Sequence, residues 1–373
     1  GRADSMIRGV NYVRLENPKG GKHTTFAPDA YDARAAGQMF DVLRTNGFNA
    51  VRVFVSVYAH LPGSLFHETP DGGPSAAYMD NFCDFLRQAR ARGITVMPNF
   101  EYLPLTARYL KFVGDAPSKL QDANRMYLDV GYIRARQQFL ADFIEAIRKR
   151  DPVLLKTILA YNLGNESCFH MNYPFNADEG RFTAPNGKTY DLAKDKTALA
   201  DDAAVYWVNA MTDAIKAADP GARVDVSMFT YHAVQRSGPG DFTQGTAPWN
   251  NRYPFRPTAM ARTKADIVDI HFYPKDEAEL SKHLESIEFG ALKNAIKKSR
   301  QMLLLGEFGV YKTGPGKYDD VESAAQWARK LADRAVELGF QGWLFWQYDT
   351  HEQAQLWHAT EGGGQILRAL SAP

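Results

Sequence analysis

Ile158-Leu159-Ala160-Tyr161-Asn162-Leu163-Gly164-Asn165-Glu166 begins as an apolar run and ends on an amide beside a carboxylate. The apolar part suits a strand buried on both faces, as in a parallel sheet covered by helices. Such a strand has no packing use for Asn165-Glu166 at its end, because an unpaired buried carboxylate is costly. The pair makes sense where the strand opens onto a cleft. Met302-Leu303-Leu304-Leu305-Gly306-Glu307-Phe308-Gly309 has the same shape, an apolar strand running into a carboxylate.

Working outward, six more runs read as strands. They are Ile7 to Tyr12, Phe48 to Val55, Ile94 to Glu101, Arg223 to Phe229, Ile267 to Tyr273 and Gly342 to Tyr348. Between them the apolar spacing turns helical. One helix opens at Pro28-Asp29, with Asp29 as its cap, carries Met39, Phe40, Val42 and Leu43, and closes at Gly47. Others run from about Ser75 to Arg92, up to Arg150, up to Asp219-Pro220-Gly221, and from Val321 to Leu338, with a short helix at the C-terminus. A long polar insertion follows Glu166, up to about Lys196. Strands alternating with helices imply a parallel sheet, and eight such units imply one (β/α)8 TIM barrel spanning residues 1–373, a single α/β domain with long βα loops. An open doubly wound sheet is the alternative. No glycine-rich phosphate loop follows the first strand, which argues against dinucleotide binding.

Composition narrows the partners. The chain has 373 residues, 45% hydrophobic and 23% charged, as globular domains do. Net charge is +1, which supplies no drive toward nucleic acid or anionic membrane. No run is apolar enough to span a bilayer, and a monomer is expected. The chain starts at Gly1 and shows no leader peptide, which leaves secretion or a periplasmic location open. Cys83 and Cys168 are expected to be free thiols, with a disulfide as the alternative. Lys19, Lys22, His23, Arg108, Lys111 and Arg181 lie in predicted loops, where they read as solvated surface or as contacts for an acidic glycan.

A barrel gathers the C-terminal ends of its strands on one rim, where active sites of this fold lie. Arg52, Asn165, Glu166, His271, Tyr273, Glu307 and Trp346 all fall at or near such ends. Arg52 interrupts an apolar strand, so it needs a carboxylate partner if buried. Two carboxylates from different strands point to paired acid–base and nucleophile work, as in glycoside hydrolysis.

On these residues the chain resembles the retaining (β/α)8 glycoside hydrolases, most of all family 5. The matched features are Arg52, Asn165-Glu166, His271-Phe272-Tyr273, Glu307 and Trp346, and the resemblance runs over the whole barrel. The segments His271-Phe272-Tyr273-Pro274, Gly306-Glu307-Phe308-Gly309 and Leu344-Phe345-Trp346-Gln347-Tyr348 are locally similar to endo-β-mannanases. The family usually also carries a histidine at the end of the third strand, where this chain has Asn99-Phe100-Glu101.

The resemblance implies hydrolysis of β-linked poly- or oligosaccharide, with β-mannan or β-glucan the expected substrates. Glu166 is then the acid/base, with a pKa raised enough to hold a proton near neutrality. Glu307 is the nucleophile, kept ionised by Tyr273 and Arg52. Asn165 binds the sugar 2-hydroxyl, Trp346 forms a platform under the ring, and His271 orients the acid/base or touches the sugar. Asn99, Glu101 and His232 complete the expected sugar contacts. No metal or organic cofactor is implied. The competing readings are a catalytically inactive carbohydrate-binding barrel, a transglycosylase using the same carboxylates, and a metal-dependent hydrolase with ligands from His170, His232 and His271.

Overall fold

The computed structural model describes residues 6–15, 23–57, 71–114, 122–171, 179–239 and 251–372. Lys19, Lys22 and Trp249, singled out above or in the loop after the fifth strand, lie outside them. Eight parallel strands close into a barrel: Ile7–Asn11, Ala50–Val55, Thr95–Phe100, Tyr161–Asn162, Val224–Phe229, Ile267–His271, Met302–Phe308 and Gly342–Phe345. The first pairs with both the second and the eighth. Closure excludes the open doubly wound sheet.

Alternation along each strand builds two cores. In the second strand Val51, Val53 and Val55 face the surrounding helices, where they join the main hydrophobic core. Ala50 faces inward, together with Ile7, Met97, Ala160, Ile267, Met302, Leu304 and Leu344. These side chains plug the N-terminal half of the barrel. The next inward positions up the strands are polar: Arg52, Asn162, Asp225 and Asp269, all fully buried. The barrel is therefore apolar below and polar above, and its polar layer carries the cleft.

The expected helices form, with one shift in start. Residues 28–30 make a turn, and the first helix runs Ala33–Thr45 with Asp32, not Asp29, as its cap, accepting from the Ala35 amide at 2.9 Å. The insertion after Glu166 is not uniform loop. Cys168–His170 pairs antiparallel with Arg252–Pro254, and Arg181–Thr183 forms a hairpin with Thr189–Asp191. The sixth and seventh strands are joined by two helices, Glu277–Ser286 and Phe289–Ser299. Both cysteines are free and buried. Burial pushes the Cys83 thiol up to about 11 and the Cys168 thiol up to about 12, so neither is a thiolate near neutrality.

Candidate active site

Glu307 owes its position to a break in register. Met302 and Leu304 face the barrel interior, while Leu303 and Leu305 face the helices. Unbroken alternation would then send Glu307 outward. Between Ile270 and His271 the pairing jumps from Leu305 to Glu307, leaving Gly306 as the extra residue of a bulge. The Gly306 amide donates to Asp269 Oδ1 at 2.7 Å, and a Cβ at this position would lie 2.2 Å from that oxygen. Only glycine fits there, and the bulge turns Glu307 into the cleft.

Glu307 is held on both oxygens. Arg52 Nη1 donates to Oε2 at 2.7 Å, and the Tyr273 hydroxyl donates to Oε1 at 2.6 Å. Arg52 is fully buried and its donors are spent on the site: Nη1 also reaches Asn11 Oδ1 at 3.0 Å, Nε reaches Asn162 Oδ1 at 3.0 Å, and Nη2 reaches Asn165 Oδ1 at 2.8 Å. The carboxylate partner that a buried arginine demands is thus Glu307. Asn165, whose carbonyl is taken by Arg52, keeps its amide nitrogen as a donor at the cavity wall.

Glu166 sits differently. It follows the fourth strand with a positive φ of 51°, rare for a residue with a side chain. Its Oε1 lies 3.5 Å from His271 Nδ1, which is itself 3.3 Å from Glu307 Oε2. One oxygen of each glutamate and one nitrogen of His271 lie within 4.8 Å of one another. His271 Nε2 lies 3.4 Å from Asp269 Oδ1. Burial alone would strip the His271 proton, but Glu307, Asp269 and Glu166 outweigh it and hold the ring's pKa up to about 10. Burial likewise favours a protonated Glu166, yet His271, Arg252 and Arg52 pull its pKa below the usual value. These opposite directions favour the proton of the Glu166–His271 pair on His271. The expected raised pKa of Glu166 is not found, because its cationic neighbours outweigh its desolvation.

A cavity of about 510 Å³ opens over this centre. Glu307, Glu166, Asn165, Tyr273 and Trp346 line it, with Glu101 and Tyr102 on one side and Tyr311, Gln353 and Gln355 on another. Trp346 stands edge-on to Phe54 at 5.7 Å, and its indole N–H donates to Gln353 Oε1. Burial, reinforced by the charges of Glu307 and Glu166, pushes the Glu101 carboxyl up to about 7 against the pull of Arg52. A second cavity of about 670 Å³ shares Glu166, Tyr273, Tyr311 and Gln355 with the first, and His271 and His232 line it. Glu166 thus stands at the junction of two halves of one cleft. A further concavity of about 740 Å³ lies at the opposite face, around Asp266, Gln301 and Met302 where strands begin, away from both glutamates.

One expected sugar contact falls elsewhere, and another lies in the second half of the cleft. Asn99 is fully buried below the cleft, where its amide donates to Asn162 Oδ1 at 2.6 Å. That bond joins the third strand to the fourth at the pair Asn99–Asn162. His232 lies in the second cavity, not beside Glu307. The ligand set His170, His232 and His271 is not assembled: among the described residues, the groups close enough to hold a cation are His232–Glu279–His283 and Glu166–His271–Glu307.

The sequence reading missed Asn11 and His23 as parts of the site. Asn11 is legible only as a polar residue ending the first strand, and its register partner is Arg52. His23 is expected as solvated surface or as a contact for an acidic glycan, not as a ring in the cavity wall. It instead stacks on Phe54 with ring centroids 4.1 Å apart and lines the cavity. Burial and the nearby Arg52 charge lower its pKa to about 3, so it is a neutral ring.

Comparisons with known proteins agree with this fold. The profile of the family described as Cellulase (glycosyl hydrolase family 5) matches residues 16–351. A search of curated proteins finds no match. Among solved structures, the endo-1,4-β-D-mannanase of Thermotoga petrophila RKU-1 superposes with a TM-score of 0.62 at 13% identity, covering 98% of each chain. GH5_18 from Streptomyces cattleya in complex with GlcNAc gives 0.60 at 17%, covering 98% of this chain and 79% of that one. The endo-1,4-β-mannanase of Rhizomucor miehei gives 0.57 at 13%, covering 98% and 94%. At these identities the likeness is one of fold.

Proposed function

The chain belongs to glycosyl hydrolase family 5 and is a glycosidase, and on that premise we propose that it cleaves β-1,4-linked mannan or a related β-glucan by double displacement within one catalytic domain. The observation that carries this reading is the pairing of Glu166 and Glu307. Their nearest described oxygens lie within 4.8 Å, which suits the spacing of about 5–5.5 Å between carboxyl groups in retaining enzymes rather than the about 6.5–9.5 Å of inverting ones. The mannanases among the similar folds favour mannan as substrate.

Glu307, pinned by Arg52 and Tyr273, attacks the anomeric carbon, and the leaving oxygen takes a proton from Glu166. Asn165 donates to the 2-hydroxyl, a contact that strengthens in the transition state. Trp346 lies beneath the glycone. The leaving sugar occupies the second cavity, on the far side of Glu166. The proton held by the Glu166–His271 pair must sit on Glu166 for this step, and His271 Nδ1 at 3.5 Å is its reservoir. Once Glu307 is esterified, its negative charge no longer supports the imidazolium. Glu166, now a carboxylate, takes the proton from the water that attacks the glycosyl-enzyme.

The test is the anomer of the azide product. With a dinitrophenyl β-glycoside, Glu166→Ala should accumulate the intermediate, and added azide should release a β-glycosyl azide. Glu307→Ala should give the opposite anomer or nothing. Exchanged anomers would reverse the two roles. Full turnover by both variants would leave a carbohydrate-binding barrel as the surviving reading. A panel of mannan, glucomannan and β-glucan scored for released sugar identifies the substrate.

A further inference from the structure

We propose that His232, Glu279 and His283 form a binding site for a borderline divalent transition cation, of which Zn²⁺ is the type, in the cavity that adjoins Glu166. One ligand atom from each residue lies within 4.8 Å of the other two. They come from two strand-end segments that only the barrel brings together. His232 begins a short 3₁₀ turn after the fifth strand, His232–Val234. Glu279 and His283 are four residues apart on the helix Glu277–Ser286, so they share one face. All three line the same cavity of about 670 Å³, which leaves room for a cation with water as a fourth ligand.

The surroundings orient the donors as outer contacts orient ligands in metal centres. His283 Nδ1 is paired with the Thr230 hydroxyl, which leaves Nε2 as the ligand nitrogen. The His232 amide donates to Ser286 Oγ at 3.1 Å, and Ser286 Oγ donates in turn to the His283 carbonyl at 2.8 Å. These bonds tie the turn to the helix. The two imidazole rings lie 4.7 Å apart at 83°, edge to face. The Glu279 amide donates to Asp276 Oδ1 at 2.8 Å at the start of the helix, and Glu279 Oε1 accepts from the Lys275 amide at 3.2 Å. The second carboxylate oxygen remains for a cation. Two imidazoles and a carboxylate with an open position suit zinc-type ions better than Ca²⁺ or Mg²⁺, which take oxygen donors.

That a cation here faces the leaving-group half of the cleft rests on the function proposed above. The binding itself does not, and the experiment reads binding without substrate. The whole chain, stripped with chelator, is titrated with ZnCl₂ by calorimetry and equilibrium dialysis. One equivalent is expected to be lost in His232→Ala, whose side chain is only half-buried, and in Glu279→Gln. Thr230→Val should weaken it about 10- to 100-fold, as loss of an outer contact does. Glu307→Gln controls for the cluster Glu166–His271–Glu307 and should keep this equivalent. Zn²⁺ should raise Tm of the parent chain and not of His232→Ala. No binding, or binding abolished by Glu307→Gln and untouched by His232→Ala, overturns the proposal.

Discussion

The two glutamates of the cleft share a chemistry but not a setting. Glu307 is the penultimate residue of a seven-residue strand, has a side chain 6% exposed, and takes short hydrogen bonds on both oxygens. Glu166 follows a two-residue strand in a left-handed backbone conformation, has a side chain 26% exposed, and meets His271 only at 3.5 Å. One carboxylate is immobilised beside a fixed cation. The other stands at the junction of two cavities and shares a proton with a neighbour. A group that must attack along one line needs the first setting, and a group that must first give and then take a proton needs the second.

The largest expected effect breaks the comparison outright. Glu307→Gln should lower kcat on the order of 10⁴-fold or more on every substrate. Glu166→Gln should lower it by about 10²–10⁴-fold on a natural glycan, while kcat/KM on a dinitrophenyl glycoside, which reads only the first step, should fall far less. Steady-state kinetics on both substrates read the difference. Equal losses on both substrates for both variants would show that the two settings carry no division of labour.

Arg52→Met comes next. It leaves Glu307 buried without its cation, and Asn11, Asn162 and Asn165 without their shared donor. Removing one partner of a buried pair costs about 3–5 kcal/mol, measured by urea unfolding. Glu166→Met, at a more exposed position with one long contact, should cost under about 1 kcal/mol. Tyr273→Phe is milder: it removes one hydrogen bond to a charged group, about 1.5–3 kcal/mol, and should lower kcat about tenfold to a hundredfold while leaving the fold intact by circular dichroism.

A pH-dependent effect concerns Glu101, which shares the cavity with Glu307 but is destabilised as an anion. Its pKa rises from 4.5 to about 7 on folding. Between those values the folded chain keeps a proton that the unfolded chain releases, so stability falls as pH rises, by at most about 1.4 kcal/mol per unit. Below about 4.5 the contribution vanishes, and above about 7 the loss is complete. Glu101→Gln should therefore raise Tm at pH 8 and leave it unchanged at pH 4, by differential scanning fluorimetry. A rise of equal size at both pH values would show that burial of Glu101 is not what the substitution relieves.

Much of this was legible because strand ends are local. Ile158 to Glu166 and Met302 to Glu307 each show an apolar run meeting a carboxylate, and a parallel sheet has few other uses for that pattern. Arg52 inside an apolar run announced a buried charge, and therefore an acid nearby. Asn99 reads the same way as Asn165 in sequence, yet one lies beneath the cleft and the other on its wall. The difference is depth along the barrel axis, set by inter-strand register.

The sequence alone determined the eight strands, their parallel arrangement and a glutamate at the end of two of them, because hydrophobic periodicity acts over a few residues and alternation of strand and helix leaves few topologies. The tertiary structure alone decided which way Glu307 points, since that depends on the bulge at Gly306 and its contact with Asp269. It alone favoured the proton on His271 rather than Glu166, because pKa values sum charges from Glu307, Asp269, Arg52 and Arg252, which the chain keeps far apart. It alone brought His23 onto Phe54 and His232 to Glu279 and His283. Those meetings join loops from different strands, and side-chain contact across a barrel mouth leaves no periodic trace in sequence.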